Sequence, residues 1–260
     1  MGKTIFIGAR KGGVGKTMTA ASLGVGLARQ GKKTLLIDAD NQHSLTVSLG
    51  VTKPEEQAVT LATIISEIIA KRDFDPMEGI IHHAEGVDLM PANDSLIGME
   101  LTLAPLIGRE TILRKYINKV KPLYEFILID TCPNLDVLTI NALAAADSAI
   151  IPVCPRFLDS KGLELLLKSI DSIQEDINPN LTISGILLTM VDKRTNLARE
   201  IIRVIKESCG EEIHIFKEYI PNSVRAAETS AIGKSIFMHD PKGRVAAAYA
   251  SLTGEVLEIA

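Results

Sequence analysis

Residues 4–31, TIFIGARKGGVGKTMTAASLGVGLARQG, constrain the fold more than any other stretch of the chain. A short apolar run reads as a strand. A glycine-rich loop follows, and then a helical pattern over 17–30 that Gly31 ends. A loop ending in Gly-Lys-Thr that follows a strand and opens a helix is the context a phosphate-binding loop needs. Gly12, Gly13 and Gly15 are expected to take backbone conformations that other residues resist, turning N–H groups inward. Those N–H groups and the helix N-terminus then hold phosphate oxygens. Lys16 is placed to neutralise the β- and γ-phosphates, and the Thr17 hydroxyl to coordinate Mg²⁺. Two residues depart from the common G-x-x-x-x-G-K-[ST] pattern. Arg10 stands where it has a glycine, and Lys11 is a second lysine it does not require.

The rest of the chain repeats the strand–helix alternation. Apolar runs at 4–9, 33–39, 87–91, 126–130, 148–154, 183–191 and 213–221 read as strands. Helical patterns fall at 57–71, 109–121, 136–146, 161–176 and 195–208, and the C-terminal AAYASLTGEVLEIA reads as a packing helix. Several strands are apolar on both faces, as in a parallel sheet covered by helices. The expected fold is α/β, a single doubly wound, mostly parallel sheet flanked by helices, forming one domain over 1–260. Residues 51–86 give the weakest pattern. Ligands in such folds sit at the carboxyl ends of the strands.

Composition narrows the function classes. A formal net charge of −4 argues against a globally basic nucleic-acid binder and leaves a local basic face open. Cys132, Cys154 and Cys209 form no C-x-x-C pair and read as reduced thiols of a cytoplasmic protein. No signal-peptide pattern is visible, and no apolar run reaches the roughly 18 residues of a membrane span. The C-terminal segment lacks a basic face and carries Glu255 and Glu258, so no membrane anchor is expected.

The sequence K-G-G-x-G-K-T at Lys11–Thr17 resembles the deviant Walker A motif of the ParA/MinD/Soj family of ATPases. The resemblance implies ATP and Mg²⁺ as cofactors and a phosphate-binding set of Lys11, Gly12, Gly13, Val14, Gly15, Lys16, Thr17 and Met18. In that family the first lysine, here Lys11, reaches across an ATP-bound dimer to the other subunit's phosphates, much as an arginine finger does. Arg10 is then no defect, because the family keeps no glycine there. Met18 stands where the family usually has threonine, so a hydroxyl contact to phosphate is lost.

Two aspartate motifs follow. LLIDADNQHS (35–44) by itself reads equally as a functional aspartate motif or as a plain strand end followed by an Asx-rich turn. It resembles the family's switch I, D-x-D-P-Q-G-N, which implies that Asp40 orients the attacking water and lies near Mg²⁺. Asn41 replaces the proline and His43 the glycine of that pattern. FILIDTCPNLD (126–136) ends a strand on Asp130, which matches Walker B and implies a water-mediated Mg²⁺ contact. The family's D-x-P-P becomes Asp130, Thr131, Cys132 and Pro133, followed by Asn134. Cys132 also raises a nitrogenase-reductase-like reading with an iron–sulfur cluster, but a single cysteine favours a structural thiol.

The carboxyl half, at 185–200 and 220–249, resembles Soj-type partition proteins. Adenine contacts fall by position on Met190, Pro221, Asn222 and Ser223, although the second segment departs from the family's I-P-R-N-V-R. Residues 192–244 hold ten basic and eight acidic residues, a net +2 against −4 overall, which leaves −6 for the rest. That asymmetry permits a basic face. Arg194 and Arg225 fall at family positions tied to non-specific DNA binding, and Lys242 and Arg244 of the same basic stretch join them as candidates. The resemblance implies a homodimer when ATP is bound, sequence-independent DNA as a partner, and a ParB-like centromere-binding protein as activator. It places the protein in the cytoplasm on the nucleoid. No helix-turn-helix precedes the loop, so sequence-specific operator binding is not expected. A MinD-like membrane-cycling ATPase and an ATPase that positions a protein cargo are the alternatives.

Overall fold

Both faces of the central strands are apolar in sequence, and both are covered in three dimensions. The computed structural model describes residues 2–155, 159–192 and 194–259. The chain runs β1 (Lys3–Ile7), α1 (Lys16–Arg29), β2 (Thr34–Ala39), α2 (Ser44–Ser48), α3 (Leu61–Ile69), β3 (Ile81–His82), β4 (Asp88–Met90), α4 (Met99–Leu103) and α5 (Ile112–Val120). It continues through β5 (Phe126–Thr131), α6 (Val137–Ala145), β6 (Ser148–Val153), α7 (Asp159–Asp176), β7 (Thr182–Leu188), α8 (Asn196–Cys209), α9 (Val224–Ile232), α10 (Ile236–His239) and α11 (Arg244–Ile259). The strands form one seven-stranded sheet in the order β3-β4-β2-β5-β1-β6-β7. Every pairing is parallel except β3 with β4 at the edge.

Alternation along the strands divides the core into two layers. Phe6, Leu35, Ile37, Ile127 and Ile129 face one side and pack with α3, α5, α6, α7 and α8. Ile5, Ile7, Leu36 and Leu128 face the other and pack with α1, α2, α10 and α11. A period of two with no polar face leaves no side of β1, β2 or β5 for solvent, which is why these strands lie in the middle of the sheet.

Helix starts follow their caps. Asp136 accepts from the Thr139 amide at 2.8 Å and opens α6. The Thr195 hydroxyl accepts from the Ala198 amide at 3.3 Å and opens α8. Thr60 and Thr63 form a reciprocal capping box that starts α3 at Leu61, four residues later than the 57–71 pattern suggests. The expected helix at 109–121 begins with a 3₁₀ turn over Arg109–Thr111.

One expected strand is corrected. Residues 213–221 form no strand and touch the sheet only through isolated bridges, Ile186 with Ile215 and Val191 with Pro221. Between the bridges the backbone turns to another partner. The Lys217 amide donates to the buried Glu255 carboxylate of α11 at 3.1 Å. Pro221 has no N–H to give to a ladder. The short elements β3, α2, α4 and α10 are not among the sequence expectations, because a single turn or two residues carry no measurable period, and the nine-residue α9 is not among them either.

Candidate nucleotide site

The carboxyl ends of β1, β2 and β5 lie side by side, and their first loop residues build the site. After β1 the chain passes through Gly13 at φ 71° and Gly15 at φ 84°, both left-handed, and enters α1 at Lys16. A side chain at either glycine would strain the backbone, so the loop's amides owe their inward turn to these two residues. Gly12 is different and corrects the expectation. It takes no left-handed φ, and a Cβ there would meet nothing within 4 Å. Nothing in the structure explains a glycine at this position.

The loop is anchored from behind. The buried Thr189, one residue past β7, donates its hydroxyl to the Val14 carbonyl at 2.7 Å. Lys16 is 7% exposed, and its ammonium reaches the Lys11 carbonyl at 3.4 Å, a long contact that leaves donors to spare. Lys11 is half-buried and Arg10 exposed at the loop's outer edge. The Thr19 hydroxyl, one turn into α1, lies 3.2 Å from the Tyr249 hydroxyl and ties α1 to α11 beneath the loop.

Three carboxylates face the loop. Asp38 is fully buried; its Oδ2 accepts from both the amide and the hydroxyl of Thr46 at 2.7 Å, and its Oδ1 from the Asp40 amide at 3.2 Å. Burial pushes its carboxyl up to about 6, with the Thr46 hydrogen bonds opposing the shift. Asp40 is 6% exposed and accepts from the Gln42 amide at 2.9 Å. Asp130 is fully buried, and neither of its oxygens has a hydrogen-bond partner. Burial first, then the Asp38 charge, raises its carboxyl well above the ordinary range, while Thr17 and Lys16 partly offset them. An unpartnered buried carboxylate is costly unless a cation or water completes it. A hydrated Mg²⁺ held by the Thr17 hydroxyl fits that need, with Asp130 and Asp40 as the carboxylates at hand.

Switch positions differ locally from the family pattern in ways the geometry explains. His43 sits at φ 42°, a left-handed conformation suited to the glycine it replaces, and it directly precedes α2. Cys132 is buried and donates to the Asp136 carboxylate at 3.1 Å. Burial and that carboxylate push its thiol up to about 11, so it is an inert thiol, and no metal-binding cluster exists among the described residues.

A cleft of about 300 Å³ joins the phosphate loop to the expected base contacts. Gly13, Gly15, Lys16, Thr17 and Met18 line one side, and Met190, Pro221, Asn222 and Ser223 line the other. Met190 takes φ 51°, which carries its side chain to within 3.8 Å of where a Cβ on Gly15 would lie. The expected DNA residues lie further out. Arg194 and Arg244 line a neighbouring hollow that shares Pro221 and Asn222 with the cleft. Arg194 forms a bidentate pair with Asp192 at 2.9 and 2.8 Å, and Arg225 meets Glu228 at 3.3 Å. Arg225, Lys242 and Arg244 are exposed, and Lys193 of the basic set lies outside the described residues.

Residues 2–183 match the AAA_31 family, an AAA domain. The sporulation initiation inhibitor protein Soj of Bacillus subtilis is 39% identical over 98% of this chain and 98% of its own. The chromosome-partitioning ATPase Soj of Thermus thermophilus is 37% identical over 98% of this chain and 95% of its own. The chain belongs to the ParA/Soj family of partition ATPases. Among solved structures, the cobyrinic acid a,c-diamide synthase of Mycobacterium smegmatis with bound ATP analogue and magnesium superposes with a TM-score of 0.86. It is 30% identical and covers 99% of this chain and 95% of that one. As a ParA/Soj-type ATPase the protein takes ATP and Mg²⁺, and its mostly parallel sheet is the family's P-loop fold. No helix among the described residues is long and apolar enough to cross a membrane. Sequence reasoning missed Thr189, Thr46 and Tyr249. None belongs to a local motif, and each acts on a residue more than seven positions away.

Proposed function

We propose that this partition ATPase works as an ATP-gated homodimer that binds DNA without sequence preference. On this reading it hydrolyses ATP when a ParB-like partner engages it and so segregates DNA on the nucleoid. The observation that carries the reading is the place of Lys11. It stands at the outer edge of the phosphate loop, half-buried, with its carbonyl beside the Lys16 ammonium. A lysine there is close to the phosphates yet open to a second subunit, which supports charge supplied in trans.

The roles follow from the geometry. The amides of Gly13–Met18 and the N-terminus of α1 hold phosphate oxygens. Lys16, already desolvated, meets the β- and γ-phosphates at full electrostatic strength. Thr17 would hold Mg²⁺ directly, with Asp40 and Asp130 through water, and the ion would supply charge neutralisation at the phosphates. Asp40 aligns the attacking water. Met190, Pro221, Asn222 and Ser223 enclose the base. Arg194, Arg225, Lys242 and Arg244 contact DNA phosphates, which gives sequence-blind, salt-sensitive affinity.

The test is a DNA-binding titration against salt with ATP, ADP and no nucleotide. ATP-specific binding that is indifferent to sequence and falls steeply with salt is expected. Binding that is equal in all three states, or absent with ATP, defeats the DNA reading and leaves a protein cargo.

A further inference from the structure

Helix α9 was not foreseen from sequence, yet three separate contacts converge on it. Ala226, Ala227 and Ser230 line the nucleotide cleft. Arg225 and Glu228 fall on the opposite face at helical spacing, and Glu228 also meets His239 of α10 at 2.8 Å. One helix therefore presents one side to the nucleotide and the other to the surface that carries a DNA-binding arginine.

Its second contact is with the phosphate loop. The buried Thr229 hydroxyl donates to the Ala226 carbonyl at 2.7 Å and lies 3.4 Å from the sulfur of Met18. Met18 occupies the first turn of α1, directly after Thr17. The third contact is with the segment after Asp40. Thr46 fixes α2 to Asp38, and α2 leads to Gly50. Gly50 packs backbone to backbone against Gly233, the left-handed residue that ends α9. A Cβ on Gly233 would lie 2.5 Å from the Gly50 Cα, so the two backbones touch with no side chain to cushion them. Close-packed backbone contacts transmit displacement and do not absorb it.

We propose that α9 is the connector through which the nucleotide cleft sets the DNA-binding face, driven at Thr229 by the phosphate loop and at Gly233 by the segment after Asp40. The inference rests on the DNA-binding reading above. Nucleotide entry changes what Ala226, Ala227 and Ser230 pack against, and any shift in the loop or in α2 reaches α9 at both ends. Arg225 and its partner Glu228 both lie on α9 and move with it, so a shift of the helix changes where the guanidinium stands relative to a DNA phosphate.

The experiment compares DNA affinity with ATP and with ADP for the wild type, Gly233→Ala and Thr229→Val. Nucleotide affinity, dimer formation by sedimentation and thermal melting are measured in parallel. The wild type is expected to bind DNA more tightly with ATP. Gly233→Ala should reduce the ATP-to-ADP affinity ratio by about tenfold and Thr229→Val by about threefold, with the ATP-state dimer intact. Thr229→Val is nearly isosteric and supplies the answer if Gly233→Ala does not fold. A wild type without ATP-dependent DNA binding refutes the functional reading itself. A wild type that shows it, with an unchanged ratio in the folded variants, overturns only the role of α9. A ratio that falls solely because the dimer is lost also overturns it, since dimerisation then accounts for the dependence.

Discussion

Asp38 and Asp130 are register partners on the adjacent parallel strands β2 and β5. Strand pairing places the two buried carboxylates side by side below the phosphate loop, and the Asp38 charge contributes to the raised carboxyl of Asp130. Asp38 accepts three protein hydrogen bonds, whereas Asp130 is eased only by its neighbours Thr17 and Lys16. The fold thus holds an acidic pair of which Asp130 is the member that a cation would complete.

That pair predicts a pH dependence of stability in metal-free buffer. Both carboxyls are raised, so the folded state binds protons more tightly than the unfolded one. Their contribution is therefore most favourable at low pH and is lost as pH rises. For Asp38 the window runs from the ordinary carboxyl value of 3.8 up to about 6, and holding it charged at pH 7 costs about 3 kcal/mol. Asp130→Asn removes the unpartnered charge. In EDTA the variant should melt roughly 3–8 °C above the wild type at pH 7.5, with the gap closing toward pH 5. A gap independent of pH contradicts the assignment. The same variant should lose Mg²⁺-dependent hydrolysis.

Thr189 anchors the phosphate loop through the Val14 carbonyl. Thr189→Val keeps the side-chain volume and leaves that buried carbonyl short of a donor. A loss of about 1–2 kcal/mol in stability is expected, with weaker ATP binding alongside. Denaturant melts and a fluorescent-nucleotide titration measure both effects. Unchanged nucleotide affinity would show that the loop holds its shape without Thr189.

The two lysines should separate. Lys16→Ala should abolish nucleotide binding, because no other buried cation faces the phosphate position among the described residues. Lys11→Ala should keep monomer ATP binding and lose the ATP dimer, as read by sedimentation. A dimer that survives the change rules out the lysine in trans.

Asp40→Ala should bind ATP and form a dimer that persists, with hydrolysis reduced by about 10²-fold or more. Single-turnover measurements check it. Undiminished turnover would mean that another group aligns the water.

The candidate DNA face is partly self-neutralised, which sets the direction of two further variants. Arg225→Glu should weaken DNA binding in the ATP state while basal ATPase activity persists. Asp192→Asn should strengthen it, since Arg194 no longer spends its Nε and Nη2 donors on the neighbouring carboxylate. The pair is exposed and screened by solvent, so a gain of no more than about fivefold is expected. Equal DNA affinity in all three proteins would remove these arginines from the interface.

Where the candidate nucleotide site falls in the fold was legible in the sequence. Gly13, Gly15, Lys16 and Thr17 sit where the motif predicts, and Asp38, Asp40 and Asp130 end the strands expected to carry them. Six of the seven expected strands exist, since a core strand writes its two buried faces directly into its residues. What sequence could not decide was everything that depends on register or on distant segments. Residues 213–221 had the composition of a strand, but Glu255 on α11 claimed the Lys217 amide. The pairing of Asp38 with Asp130, the Thr189 anchor, the Gly50–Gly233 contact and the two faces of α9 all join residues far apart in the chain. Local pattern records which atoms a segment must bury, whereas which partner meets each atom is fixed only when the whole sheet and its helices close around it.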